Sequence, residues 1–214
     1  MPIIITRGNW MASDQEKIDE IIGFWFGEIK DGFTAEDMSW LWWAGGPDID
    51  QNIQERFGEW VEKAALGELA HWVDSPRGRL AHIILLDQFT RNIYRKTAKA
   101  FAADPLALKL TLEGIESKHD LELEPIQRIF MYMPLEHAED LEMQDLCANK
   151  FREAMAPYLD DPDSPAQNYL KASQDHRAII EQFGRFPHRN AVLGRESTEA
   201  EIAYLNGDHK SFGQ

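Results

Sequence analysis

The stretch His82-Ile83-Ile84-Leu85-Leu86-Asp87-Gln88-Phe89-Thr90-Arg91-Asn92-Ile93-Tyr94-Arg95 decides the fold. On a helical wheel of about 100° per residue, Leu85, Leu86, Phe89 and Ile93 make one apolar face, with His82 between them. Leu80, Ile83 and Ile84 make the opposite face. A surface helix is apolar on one stripe, so a helix apolar on both sides is packed between neighbours. Its second half turns Asp87, Arg91, Tyr94 and Arg95 toward a direction that was apolar two turns earlier. Charged groups there are costly to desolvate alone, so they pair, face water or line a polar cleft. Asp87 and Arg91 stand four residues apart and suit a helical ion pair, which leaves Arg95 seeking an anion.

The same periodicity extends in both directions. Ser13 and Glu16 form a capping-box pair ahead of Ile18, Ile21, Ile22 and Trp25, and Gly27 stands where a C-terminal glycine belongs. After the aromatic cluster Trp40, Trp42 and Trp43, Gly45-Gly46-Pro47 breaks the chain. Ile49, Ile53, Phe57, Trp60, Val61 and Ala64 then trace a second helix ended by Gly67. Ser75-Pro76 opens the third, to about Lys96, and Asp104-Pro105 a fourth, to about Ser117. Pro125 opens a fifth. Pro134 either kinks it or begins a sixth, which runs through Leu141 and Phe151 toward Tyr158. A seventh spans Gln167 to Phe183 before Gly184, and Thr198 with Glu201 caps a short last helix. No window shows sustained two-residue alternation. The pattern predicts one all-α domain over residues 1–214 with seven to eight helices in antiparallel hairpins, its ends (1–12 and 208–214) loosely ordered.

The formal charge of −15 disfavours binding to nucleic-acid backbones, and no apolar run is long enough to span a membrane. One cysteine, Cys147, suits a reducing compartment, so a cytoplasmic protein is expected. The seven tryptophans lie between Trp10 and Trp72 and read as packing residues. Two segments depart from the acidic background. Arg77 to Lys99 holds six basic residues against Asp87 alone, and Arg177 to Arg195 holds four arginines against Glu181. Those segments also echo each other: His176, Gln182, Phe183, Arg185 and Arg189 repeat His82, Gln88, Phe89, Arg91 and Arg95 at a spacing of 94. Five identities are too few to establish a duplication.

Beyond the third helix, His137 and Asp140 share the packing side of the sixth. Asp140 could hold the imidazole tautomer, or His137 could be a satisfied core histidine. His176 lies on an apolar stripe and reads as core. The loop Arg185-Phe186-Pro187-His188-Arg189-Asn190 suits capture of a carboxylate or phosphate, or the capping of helix ends. Nucleotide-cradling glycine loops, a zinc-protease helix and a nucleophile elbow are all missing, and one E-x-x-H (Glu116 to His119) falls short of a di-metal site. Neither a metal nor a cofactor is expected.

Four runs carry a family resemblance: Leu86 to Arg95, Ala100 to Ala107, Tyr132 to Leu141, and Phe183 to Asn190 continuing through Leu193 to Thr198. Together they resemble the bacterial family called domain of unknown function 924, over about Ile18 to Leu205. Thr90 stands where that pattern has proline, and Ala138 where it has serine, removing a kink and a hydroxyl. The resemblance implies a tetratricopeptide-repeat-like, right-handed helical array and no particular activity. Its motif residues fall on Asp87, Gln88, Arg91, Asn92, Arg95, Glu136, His137, Asp140, Arg185, His188, Arg189 and Asn190.

These readings lead to a helical binding protein. Asp87, Arg91, Asn92, Arg95, Glu136, His137, Asp140, Arg185, His188, Arg189 and Asn190 would form a cleft holding a small anion or a peptide carboxylate. A second expectation is an enzyme of hydrolase or lyase type, with His137 (and Asp140) or His188 as general acid–base and the arginines holding an oxyanion or phosphate. The third is a scaffold whose polar cluster only ties helices together.

Overall fold

A computed structural model describes residues 7–207, with side chains from residue 12 onward. The expectation of loose ends falls on 1–6 and 208–214, which lie outside the described residues, while residues 7–12 belong to the first helix. The described chain is all-α apart from one antiparallel pair of two-residue strands, β1 (Ile29–Lys30) and β2 (Phe33–Thr34).

Helix α1 runs Arg7–Phe26, seven residues longer than an N-cap at Ser13 implies. Gly27, at φ 60°, ends it in a conformation that glycine adopts without strain. Helix α2 is Pro47–Ala65. Helix α3 (Pro76–Ile83) starts on Ser75, whose hydroxyl accepts from Gly78 N at 3.1 Å. It passes through a π-helical turn, Ile84–Phe89, into α4 (Thr90–Ile93), so the opening stretch is one rod with a widened middle. Every residue from Leu80 to Asn92 along it is buried. Then follow α5 (Asp104–Glu116), α6 (Pro125–Glu136), α7 (Leu141–Met155), α8 (Ala166–Phe183) and α9 (Glu199–Leu205). Pro134 neither kinks α6 midway nor opens a new helix. It sits in the last turn, and α7 starts afresh at Leu141.

Helix α6 lies at the centre. Ile126, Phe130 and Met133 face a core built with α1, α2 and the α3–α4 rod, where Trp25 meets Phe89 and Phe130 edge-on at 5.4 and 5.7 Å. Ile129, Tyr132 and Leu135 face a second core with Cys147, Phe151 and Met155 of α7 and Ala166 of α8. A helix buried on two sides has no solvated stripe for polar groups. Glu136 and His137, at its C-terminus, therefore emerge between the two cores rather than at the surface. Among the described residues, no helix is long and apolar enough to cross a membrane.

Candidate functional site

Between the two cores lies a cavity of about 800 Å³. One wall is the segment from Phe33 to Gly45, including Trp42 and Trp43. The rod contributes Gln88, Arg91, Asn92 and Arg95, the end of α6 contributes Met133, Glu136 and His137, and α8 contributes Tyr169 and His176. The volume falls in the usual range for small-molecule sites, about 300–1,000 Å³.

The lining stripe of the rod is Gln88, Arg91, Asn92 and Arg95, rotated about a sixth of a turn from the expected Asp87, Arg91, Tyr94 and Arg95. Tyr94 instead donates to Glu62 of α2. Asp87 is fully buried behind the stripe and accepts from His137 Nδ1 at 2.8 Å and from Gln88 Nε2 at 2.5 Å, with Arg91 Nη1 at 3.2 Å. Burial alone would raise the Asp87 pKa, but the Arg91 and His137 charges and the hydrogen bonds outweigh it and hold the group well below the usual carboxylate range.

The His137 pKa is lowered as well, but for a base this favours the neutral form. Burial and the Arg91 charge lower its pKa more than Asp87 raises it, so the imidazole is neutral at pH 7. With Nδ1–H committed to Asp87, the remaining lone pair is on Nε2. Glu136, next to it, has its pKa pushed up to about 8 by burial and the Asp87 charge, so it keeps its proton at neutral pH. Its Oε1 is buried without a hydrogen-bond partner, 3.4 Å from His176 Nδ1. His176 donates from Nδ1 to the Ala172 carbonyl at 2.9 Å, and burial takes its pKa down to about 3. A neutral base and a neutral acid thus occupy one end of the cavity.

The end of α6 is fixed from two sides. Gln144 Nε2 of α7 donates to the Glu136 and Ala138 carbonyls at 2.6 and 2.8 Å. Arg189 Nη1 donates to the His137 carbonyl at 3.1 Å, its guanidinium lying between the Phe101 and Phe186 rings.

The arginines are matched by carboxylates of the chain itself. Arg91 binds Asp104 through both Nη atoms at 3.0 Å. Arg95 grips Asp50 at 2.8 and 2.9 Å, and Asn92 donates to the same carboxylate at 2.9 Å. Asp50, in the first turn of α2, and Asp104, at the start of α5, look in the sequence like ordinary helix-start acids, and sequence reading missed both. Gly45 (φ 60°) makes room for the Arg95–Asp50 pair, since a Cβ there would stand 2.7 Å from an Arg95 nitrogen.

Several expected site residues lie elsewhere. Asp140 does not hold His137. It caps α7, accepting from Glu142 N and Met143 N at 2.8 and 3.1 Å. Arg185 is away from the cavity, bound to Glu201 at 2.6 and 2.8 Å. Asn190 bonds Ser197 and Arg195, and Arg195 holds Glu139. His188 packs on Phe186, outside the lining. The arginines of the 185–195 segment do capture carboxylates, but those of Glu139, Glu201 and Asp104 in the same chain. The echo between the two segments also fails in space: Asp87 is buried against His137, whereas its counterpart Glu181 is exposed and pairs with Arg177. Among the described residues, no group of three His, Cys, Asp or Glu side chains is placed to hold a metal.

The described chain is thus all-α apart from its one short strand pair, with a partly open cavity that is aromatic on one side and bordered by paired charges on the other. Residues 21–208 match the model of a bacterial protein of unknown function, DUF924, and the chain belongs to that family. It is similar to the solved structure of a protein of unknown function from Agrobacterium tumefaciens, with 34% identity, a TM-score of 0.74, and 90% of this chain and 98% of that one covered. No curated protein matches it.

Proposed function

We propose that the chain is an enzyme in which His137 Nε2 acts as general base on a small molecule held in the cavity, rather than a passive anion-binding protein. The observation that supports this is the Asp87–His137 pair, closed at 2.8 Å beside an 800 Å³ cavity. Asp87 fixes the imidazole tautomer and stabilises the imidazolium formed when Nε2 takes a proton. Glu136, protonated at neutral pH, supplies a proton in return. The anion-binding reading is weaker because Arg91, Arg95 and Arg185 already hold carboxylates in bidentate or close pairs. Asp140 and His188 have no part in the proposed chemistry.

Untargeted mass spectrometry of a bacterial metabolite extract, incubated with the wild type or with His137→Gln, tests the reading. A metabolite consumed by the wild type and spared by the variant is expected. No wild-type-dependent conversion, with both proteins folded by circular dichroism, overturns it.

A further inference from the structure

The charge around the cavity identifies what enters it. Glu36 and Asp37 line the wall from Phe33 to Gly45. Asp87 and Asp104 contact Arg91, and Asp50 contacts Arg95. Arg189 adds a third guanidinium, 3.5 Å from Asp104. Asp50, Asp87 and Asp104 therefore balance the three guanidiniums, and the exposed Glu36 and Asp37 leave a surplus of two negative charges, with His137, His176 and Glu136 all uncharged at pH 7. At the mouth of the cavity such a surplus disfavours the entry of an anion. An anion approaching the Nη atoms of Arg91 or Arg95 must also compete with a carboxylate already bound through two hydrogen bonds.

The aromatic side chains of that same wall suit a cation with an apolar body. Trp43 lies nearly parallel to Phe130 (14°, centroids 6.1 Å apart) and keeps 51% of its surface exposed. Trp42, Phe33 and Tyr169 line the same space. Aromatic faces attract ammonium groups, more strongly where water is excluded.

Resting on the reading of His137 as base, we propose that the cavity takes a small organic ammonium compound with an apolar or aromatic body, and turns away carboxylates and phosphates. One ammonium N–H then meets His137 Nε2. Proton transfer to Nε2 leaves a neutral amine with its lone pair available, and an imidazolium held by Asp87. The proton lost by nitrogen is the one gained by the ring, so no further reagent is required.

Three probes of one shape and different charge test the inference: benzylamine, benzyl alcohol and benzoate, titrated into the full-length protein at pH 7.5 by calorimetry and tryptophan fluorescence. Benzylamine is expected to bind about tenfold more tightly than benzoate, with the alcohol between them. The gap should narrow in the double variant Glu36→Gln, Asp37→Asn and in added salt. Equal affinities, tighter benzoate, or no binding of any probe at millimolar concentration overturns the ammonium assignment. The two proposals fail separately. A His137-dependent conversion of an anionic metabolite would remove the ammonium and keep the base. Selective benzylamine binding without any His137-dependent conversion would do the reverse.

Discussion

Asp87 of the π-helical turn and His137 at the end of α6 stand fifty residues apart in sequence and meet at 2.8 Å with the carboxylate wholly buried. Each determines the other's state: the carboxylate fixes the imidazole tautomer, and the imidazole helps keep the carboxylate ionised. Replacing Asp87 with alanine leaves Arg91 with one carboxylate and a cavity, and is expected to cost about 3–5 kcal/mol, read by chemical denaturation. Asp87→Asn keeps the volume but admits the other tautomer. Once a substrate is in hand, its turnover should fall on the order of 10³- to 10⁴-fold with a much smaller loss of stability. Equal losses of turnover in both variants, tracking only the fraction folded, would show the pair to be purely structural.

Acid should act through the same carboxylate. Because the Asp87 pKa is lowered on folding, its contribution to stability is present above its ordinary value of 3.8 and is lost as pH falls toward the depressed folded value. The melting temperature of Asp87→Asn should consequently depend less on pH below 4 than that of the wild type.

Glu136 works in the other direction. Its pKa rises on folding from 4.5 to about 8, so the folded state binds more protons than the unfolded one between those values. Stability from this group is complete below pH 4.5 and is lost progressively as pH climbs through about 8. Glu136→Gln is expected to flatten the melting profile between pH 5 and 8 and to stabilise the protein at pH 8. A variant profile with the wild-type slope would place the proton elsewhere.

Asp50 neutralises Arg95 beside the cavity. Asp50→Asn breaks the bidentate grip on Arg95, and is expected to cost about 1–3 kcal/mol and to improve benzoate binding relative to benzylamine. Gly45→Ala should disturb the same pair from the other side, through a strained positive φ and a close approach to Arg95. Unchanged relative affinities in Asp50→Asn would mean that this carboxylate does not screen the site.

Arg185, by contrast, belongs to the C-terminal network. Arg185→Ala should lower the melting temperature and leave probe affinity unaltered, since its partner is Glu201 and it does not line the cavity.

The sequence alone determined the all-α class, most helix boundaries and the burial of the 82–95 rod, because these follow from local rules. Ser75-Pro76 and Thr198 with Glu201 start helices, Gly27, Gly67 and Gly184 lie just beyond helix ends, and two apolar faces leave no solvated side. It also marked Arg91, Arg95 and His137 as polar groups on packed helix faces, the family resemblance added Asn92 and Glu136, and all five line the cavity. Only the tertiary structure decided which charge meets which. His137 was open to Asp140, three residues away, yet found Asp87, because Asp140 turns to satisfy the first amides of α7. Arg95 found Asp50, and Arg185 found Glu201. Ion pairing depends on distances through space, and once helices pack, residues far apart in sequence are as near as neighbours on a wheel. That is how a cluster rich in arginine came to lie inside a cavity with a surplus of negative charge.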